Sequence, residues 1–286
     1  VFSPEQFVAD AKKSEQRASV TMVTFNRWKC TGQSLISVFA NTFLPHVLTV
    51  VDNGSWDETV ANLKKLRRAD LIDRLILLPE NRGIAVGKNF GLKVSEGEAA
   101  WYCCIDNDIE VSPYWLSYLC YASELPGLGI VGNNVQGFGQ PWGHTWFTPT
   151  LWKEVEGVFL DNCPNPGGLY VMSAATLVRL GYFCEHSIYG LEDSELHTRQ
   201  QHHGLRSAYV RNANCRELPD ENFEMQDGAM YRDFKTSAHN AAVLRVRELT
   251  EQGKLGNPGH YETKVTVRDI GQYTWCPDSG KMPGGV

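Results

Sequence analysis

The sequence predicts an α/β protein built on a mostly parallel central sheet flanked by helices. Two observations carry that prediction. Strand-like and helix-like runs alternate through the first half of the chain at intervals of about 20–30 residues, the rhythm of βαβ units. Four successive strand-like runs also end in polar residues: Asn26-Arg27, Asp52-Asn53, Asn81-Arg82 and Asp106-Asn107-Asp108. In open parallel sheets, ligands sit beyond the carboxyl ends of the strands. One polar strand end is ordinary, whereas four in succession point to a site.

Each element has a local reason. Ser3-Pro4-Glu5-Gln6 offers an N-cap serine, a first-turn proline and a glutamine three residues on, which opens a helix to about residue 16. SVTMVTF (19–25) is β-rich and forms the first strand. A helix over about 31–41 leads to a second strand, VLTVVDN (47–53). Ser55-Trp56-Asp57-Glu58 reads as a capping box that opens a helix to about residue 69, with Ser55 and Asp57 as capping residues. RLILLPE (74–80) is a third strand, AVGKNFGLKVSE (85–96) a helix, and WYCCID (101–106) a fourth strand. SPYWLSYLCYASEL (112–125) predicts a helix and GIVGNNV (129–135) a strand.

The second half is less regular. GQPWGHTWFTPTLW (139–152) reads as loop or short antiparallel strand. Residues 167–183 read as strand then helix, 191–203 as a helix closed by Gly204, and 207–212 as a strand. A long amphipathic helix is predicted over about 228–251.

The bulk numbers exclude some functions. A chain of 286 residues can bury a sizeable core. Its net charge of −6 disfavours nucleic acid as a partner. The basic strip KKLRR (64–68) reads as the solvated face of a helix. No apolar run approaches the roughly 20 residues that span a bilayer, and the opening residues do not read as a signal peptide. A cytoplasmic location is therefore expected, with peripheral membrane docking still compatible. The eight cysteines form no C-x-x-C pair and read as buried thiols of a reducing compartment.

No phosphate-binding glycine motif is present: G-x-x-x-x-G-K-[ST] is absent, and G-x-G-x-x-G does not follow the first strand. A divalent cation is the alternative means of holding a diphosphate. Mn2+ and Mg2+ take hard oxygen ligands, commonly one or two carboxylates completed by substrate phosphates. Asp106 and Asp108, spaced i, i+2 at a strand end, suit that need, although such triplets also occur in plain turns.

Five segments in order resemble the nucleotide-sugar glycosyltransferases of the GT-A fold, specifically the family 2 type: VTMVTFNR (20–27), VVDNGSWDET (50–59), ENRGIAVGKNFGL (80–92), IDNDIEV (105–111) and the stretch 167–196 ending in GLEDSEL. The resemblance spans roughly residues 18–205. It implies a GT-A catalytic domain over 19–220, which the capped N-terminal helix (1–18) precedes and a C-terminal helical extension with tail (221–286) follows. The domain would divide into a nucleotide-binding half (19–112) and a smaller acceptor half (113–220). It also implies Mn2+ or Mg2+, a nucleoside-diphosphate sugar donor with UDP favoured, and an acceptor hydroxyl on a glycan, small molecule or other partner.

Roles follow residue by residue. Asp52 would accept from the base, Asn26 and Arg27 would form the first nucleotide loop, and Asn81 and Arg82 would shape the third. Gly83 would let the backbone approach ligand, and Lys88 would reach phosphate or a sugar hydroxyl. Asp106, Asn107 and Asp108 form the D-x-D triplet, with Asp106 and Asp108 bracketing the metal. Asp193, beside Glu192, would be the base of an inverting transfer.

The chain departs from the family where a third metal ligand, often histidine, is usual. SAYVRNANCRELPDENF (207–223) has none, leaving His239, the pair His202-His203, or Asp220 as substitutes. His144 is a candidate acceptor contact. Trp142, Trp146 and Trp152 suit either an aromatic core or stacking on sugar. Retaining transfer, nucleotidyl transfer and a non-catalytic sugar-nucleotide or glycan-binding module are the competing readings. The segment NRWKCTG lacks the glycine-rich basic loop that nucleotidyl transfer would need.

Overall fold

The computed structural model describes residues 1–133, 136–137, 150–163, 166–185, 190–218 and 260–277, and ten positions between 237 and 252. In the first half, helix α1 (Pro4–Lys13) precedes strand β1 (Ala18–Thr24), α2 (Trp28–Asn41) and β2 (His46–Asp52). Then come α3 (Thr59–Arg68), β3 (Arg74–Leu77), α4 (Ile84–Val94), β4 (Trp101–Asp106), β5 (Ile109–Val111), α5 (Trp115–Ser123) and β6 (Leu128–Gly132). The second half adds β7 (Gln136–Gly137), a hairpin β8 (Leu151–Val155) and β9 (Val158–Asn162), β10 (Leu169–Ser173), α6 (Ala174–Leu180) and α7 (Glu192–His202). Last are β11 (Arg206–Val210), β12 (Cys215–Glu217), α8 (Val267–Tyr273) and β13 (Thr274–Trp275).

The large sheet has ten strands in the order β13-β3-β2-β1-β4-β10-β6-β11-β9-β8. Strands β3, β2, β1 and β4 are mutually parallel. Their register sets Thr24 opposite Asp52, Asp52 opposite Leu77, and Val23 opposite Asp106. The four polar strand ends seen in the sequence therefore lie along one edge of the sheet. Strand β10 enters antiparallel between β4 and β6, bringing its start to the same edge beside Asp106.

β1 is buried along its whole length, as a central strand covered on both faces must be. Val20 and Met22 pack with α1, α2 and α5, while Val23 packs with Phe90 of α4. The glycines of GKNFG explain how closely α4 approaches the sheet. A Cβ at Gly87 would stand 2.7 Å from Val23, and one at Gly91 would stand 2.1 Å from Thr21. Cys103, Cys104, Cys120 and Cys215 are buried free thiols in this core, matching that part of the cysteine expectation. Burial pushes the Cys104 thiol up to about 12, so it stays unreactive.

Several boundaries differ from the sequence reading. Ser55 does not cap a helix: its hydroxyl accepts from the Asn26 N–H at 2.6 Å, and α3 begins only at Thr59. α2 begins at Trp28, three residues early, directly after two left-handed residues. α5 begins late because Tyr114 is left-handed. A short strand, β12, pairs with β5 on one side and β7 on the other in a separate three-stranded sheet that the sequence did not reveal. The β8–β9 hairpin was likewise unforeseen.

The C-terminal helix prediction extends beyond the described residues, though the positions described between 237 and 251 are helical. The chain then returns to the sheet instead of trailing away. β13 pairs with the outer edge of β3, and Trp275 is buried. Lys64 and Arg68, read as part of a solvated strip, lie over the Trp275 ring at 5.7 and 5.1 Å from its centroid. No helix among the described residues is long and apolar enough to cross a membrane.

Candidate active site at the carboxyl edge of the sheet

The loop after β1 turns on two consecutive left-handed residues, Asn26 (φ 55°) and Arg27 (φ 64°). Non-glycine residues rarely adopt this conformation, so it must be held from outside. The loop after β2 holds it: Ser55 Oγ accepts from the Asn26 N–H, and Asn26 Oδ1 accepts from the Trp56 N–H at 2.9 Å. Asp52 turns one oxygen back to accept from the Ser55 N–H at 3.0 Å. Its other oxygen, Oδ1, is buried with no hydrogen-bond partner among the described residues. Burial pushes the Asp52 carboxyl up, against the opposing pull of the Ser55 hydroxyl and backbone. An orphaned buried acceptor is costly unless a ligand N–H completes it.

Asn53, noted in the sequence only as part of a polar strand end, ties the second and third strand ends together. Its amide nitrogen donates to Asn81 Oδ1 at 3.0 Å and to the Gly83 carbonyl at 3.2 Å, and its oxygen accepts from the Arg82 N–H at 3.0 Å. Asn81 Oδ1 also accepts from the Gly83 N–H. Asn81 and Gly83 therefore build this loop, and Gly83 has a φ of 96° that only glycine adopts without strain. Arg82 lies with its guanidinium 5.7 Å from the Phe90 ring centroid.

At the end of β4 the three residues of the D-N-D triplet do different things. Asp106 donates its N–H to the Gly168 carbonyl at 2.7 Å. Burial pushes its carboxyl up to about 7. Lys88 opposes that shift, while Asp108, Glu192 and Asp193 reinforce it. Asn107 points inward, donating to Thr31 Oγ1 at 2.8 Å and to Thr24 Oγ1 at 3.3 Å. It anchors the turn to β1 and α2. Asp108 Oδ2 accepts from Arg27 Nη1 at 3.1 Å. Both side chains of that pair retain about a sixth of their exposure (16% and 17%).

The acids of α7 come from the other half. Leu191, left-handed at φ 66°, swings the chain into the helix. Glu192 meets Lys88 of α4 at 2.8 Å, with both side chains more than nine-tenths buried. The ammonium also faces the rings of Tyr170 and Phe183, 5.2 and 5.4 Å from their centroids. Desolvation pulls the Lys88 pKa down, but Glu192, Tyr170, Asp106 and Asp193 outweigh it, and Lys88 stays charged. Lys88, expected at donor phosphate, and Glu192, expected beside the base, are thus engaged with each other.

Asp193 accepts from its neighbour Ser194 through Oδ1. Its Oδ2 lies 3.4 Å from where a Cβ on Gly167 would stand, so the carboxylate sits directly beside this glycine. Gly167 and Gly168 run between Asp106 and Asp193, holding the first by a backbone hydrogen bond and leaving room beside the second.

The sequence reading also missed what braces α7. Arg199 pairs with Glu195 inside the helix, and Arg199 Nη1 donates to the carbonyls of Leu180 and Tyr182. Asn89 exchanges two hydrogen bonds with the Phe183 backbone. The signal for the first was an E-x-x-x-R spacing on a helix with a weak apolar stripe.

Among the described residues, no three His, Cys, Asp or Glu side chains gather to hold a metal. His202 and His203 sit at the carboxyl end of α7, opposite its acids. His239, His144, Asp220, Trp142 and Trp146 lie outside the described residues. Trp152 is half-buried against the core, with the Arg206 guanidinium 3.8 Å from its ring centroid, which favours the packing role. Asp106 and Asp108 are nonetheless the right donor chemistry for Mn2+ or Mg2+, and Asp108 already holds a cationic group.

A parallel nucleotide-side sheet, a D-x-D turn at its carboxyl edge and an acid-bearing helix opposite define the GT-A class of nucleotide-sugar glycosyltransferases. Residues 19–185 match the glycosyl transferase family 2 model, and the chain belongs to that family. Solved structures share the fold. Mannosyltransferase PcManGT from Pyrobaculum calidifontis, in complex with GDP-Man and Mn2+, aligns with a TM-score of 0.58 at 18% identity, over 89% of this chain and 74% of that one. GalNAc-T7 with UDP, GalNAc and Mn2+ aligns at 0.57 and 13% identity, over 71% of this chain and 43% of that one. S. aureus TarS 1–349 in complex with UDP-GlcNAc aligns at 0.55 and 17% identity, over 72% and 59%. The chain thus spans under half of GalNAc-T7 and about three fifths of the TarS fragment. No curated protein sequence matches it.

Proposed function

We propose that the protein transfers a sugar from a nucleoside-diphosphate sugar, UDP-linked in preference to GDP-linked, to an acceptor hydroxyl with inversion. The observation that carries this reading is the convergence of Asp106 and Asp193 from opposite halves onto the two sides of Gly167-Gly168. Asp193 accepts the hydroxyl proton. The acceptor oxygen bonds to the anomeric carbon, the bond from that carbon to the phosphate oxygen breaks, and the electron pair leaves with the nucleoside diphosphate. Asp52 Oδ1 supplies an acceptor for a base N–H, as an imide-bearing base such as uracil would offer. Asp106 and Asp108 would hold Mn2+ or Mg2+, which supplies positive charge for the leaving diphosphate. Solved relatives of the same fold bind UDP, UDP-GlcNAc or GDP-Man, and two carry Mn2+.

The test is slow donor hydrolysis across UDP- and GDP-sugars with Mn2+, using wild type and Asp108→Ala. Nucleotide release from one UDP-sugar that is lost in the variant supports the reading. No release, and no metal-dependent nucleotide binding, overturns it. The anomeric proton coupling of a transfer product, read by NMR, separates inversion from retention.

A further inference from the structure

We infer that Arg27 is an internal counter-cation for Asp108, and that a divalent cation enters this site only as a nucleoside diphosphate draws Arg27 away. The inference rests on the metal-and-donor reading above. Three observations support it. Arg27 is the residue before α2, held left-handed, and its side chain makes no cap for that helix. Its guanidinium instead meets Asp108 Oδ2 at 3.1 Å. The backbone carrying Asp108 is fixed on two sides, because its carbonyl accepts from the Leu218 N–H at 2.7 Å and Asn107 is anchored on Thr31.

A cation at Asp108 therefore meets a carboxylate already paired with Arg27. Two positive groups on one carboxylate repel, and the carboxylate cannot follow either of them far. A guanidinium has an alternative partner when a diphosphate arrives, since its planar donors match phosphate oxygens. Phosphate thus removes the competitor and supplies further metal ligands together. The Lys88–Glu192 pair shows the contrast, with both side chains more than nine-tenths buried.

The experiment titrates Mn2+ by the EPR signal of the free ion, with and without UDP. The proteins are wild type, Arg27→Gln and Arg216→Gln. Arg216 pairs with Glu110, two residues beyond Asp108, so its loss removes the same charge without touching the Asp108 contact. Without UDP, Arg27→Gln is expected to bind Mn2+ about tenfold more tightly than wild type, as when the competent arrangement is populated about a tenth of the time. Arg216→Gln is expected to match wild type, and UDP to strengthen Mn2+ binding more in wild type than in Arg27→Gln. Equal or weaker Mn2+ binding by Arg27→Gln, or an equal gain in Arg216→Gln, overturns the inference while leaving the metal site intact. Absence of Mn2+ binding in every protein, even with UDP, removes the metal reading itself and this inference with it.

If Arg27→Gln fails to fold, wild type labelled with 15N-arginine separates the same two outcomes. Mg2+ with UDP should shift an arginine Nε resonance that Mg2+ alone leaves in place. A shift of equal size with Mg2+ alone overturns the inference.

Discussion

The site contains two pairs of acids, and in each pair one member is held by a basic residue from another element. At the end of β4 Arg27 holds Asp108, and at the start of α7 Lys88 holds Glu192. The difference lies in solvent access. The first pair retains some exposure and sits where a ligand can compete with it. The second is packed beneath two aromatic rings, where separating the charges would leave each uncompensated in a poor dielectric. A contact that can exchange suits a binding event, whereas a sealed one suits positioning. By this criterion Asp108 fits the proposed donor and metal role, while Glu192 fits a scaffold role beside Asp193.

The largest effect should come from Asp193→Asn. An amide cannot take the acceptor proton, so turnover should fall by about 10²–10⁴-fold, the usual range for a general base. UDP affinity, measured by calorimetry with Mn2+, should stay within about twofold. If Glu192→Gln reduces turnover as much at unchanged stability, the division between exchanging and sealed acids is wrong.

Asp108→Ala should come next. Even partners outside the ligand shell alter metal affinity by about 10–100-fold, so loss of a ligand should weaken Mn2+-dependent UDP binding by at least about 100-fold. Thermal stability should change little, because this pair keeps solvent access. A large fall in melting temperature would make Asp108 a structural acid like Glu192.

The sealed pair makes the opposite prediction. Lys88→Met leaves Glu192 buried without its cation and should cost about 3–5 kcal/mol of stability, read from chemical denaturation. Adding Glu192→Gln removes the stranded charge, so the double variant should recover most of that loss. If the double variant is no more stable than the single, the pair is not the coupled unit described here.

These outcomes bear on what the sequence disclosed. The parallel order and the four polar strand ends were legible because the alternation of strand-like and helix-like runs and the composition of strand ends can be read directly along the chain. Asp106, Asp108 and Asp193 were legible as acids at element ends. Their partners were not, because a pairing such as Lys88 with Glu192 joins residues 104 positions apart. Ser55 shows the reverse failure. Its local pattern was a sound capping box, yet the nearby Asn26 N–H, held in left-handed backbone, claimed the hydroxyl first. β5, β12 and β13 escaped notice because two- and three-residue strands carry no periodicity to read.

Asn53 gives the smallest and most local test. It touches neither acid pair, yet its side chain spans the second and third strand ends through three hydrogen bonds. Asn53→Ala should cost about 1–3 kcal/mol, since it strands the Arg82 N–H and removes the donor to the Gly83 carbonyl and Asn81 Oδ1 in a partly buried loop. Asn53→Asp keeps the acceptor for Arg82 but loses the donor to Asn81 and Gly83, so it should fall between Ala and wild type. If this loop frames the nucleotide and not the cation, as proposed, both should weaken UDP binding without Mn2+ as much as with it. A loss of UDP affinity seen only with Mn2+ would instead couple this loop to Asp108 and erase the distinction between the nucleotide frame and the exchanging acid.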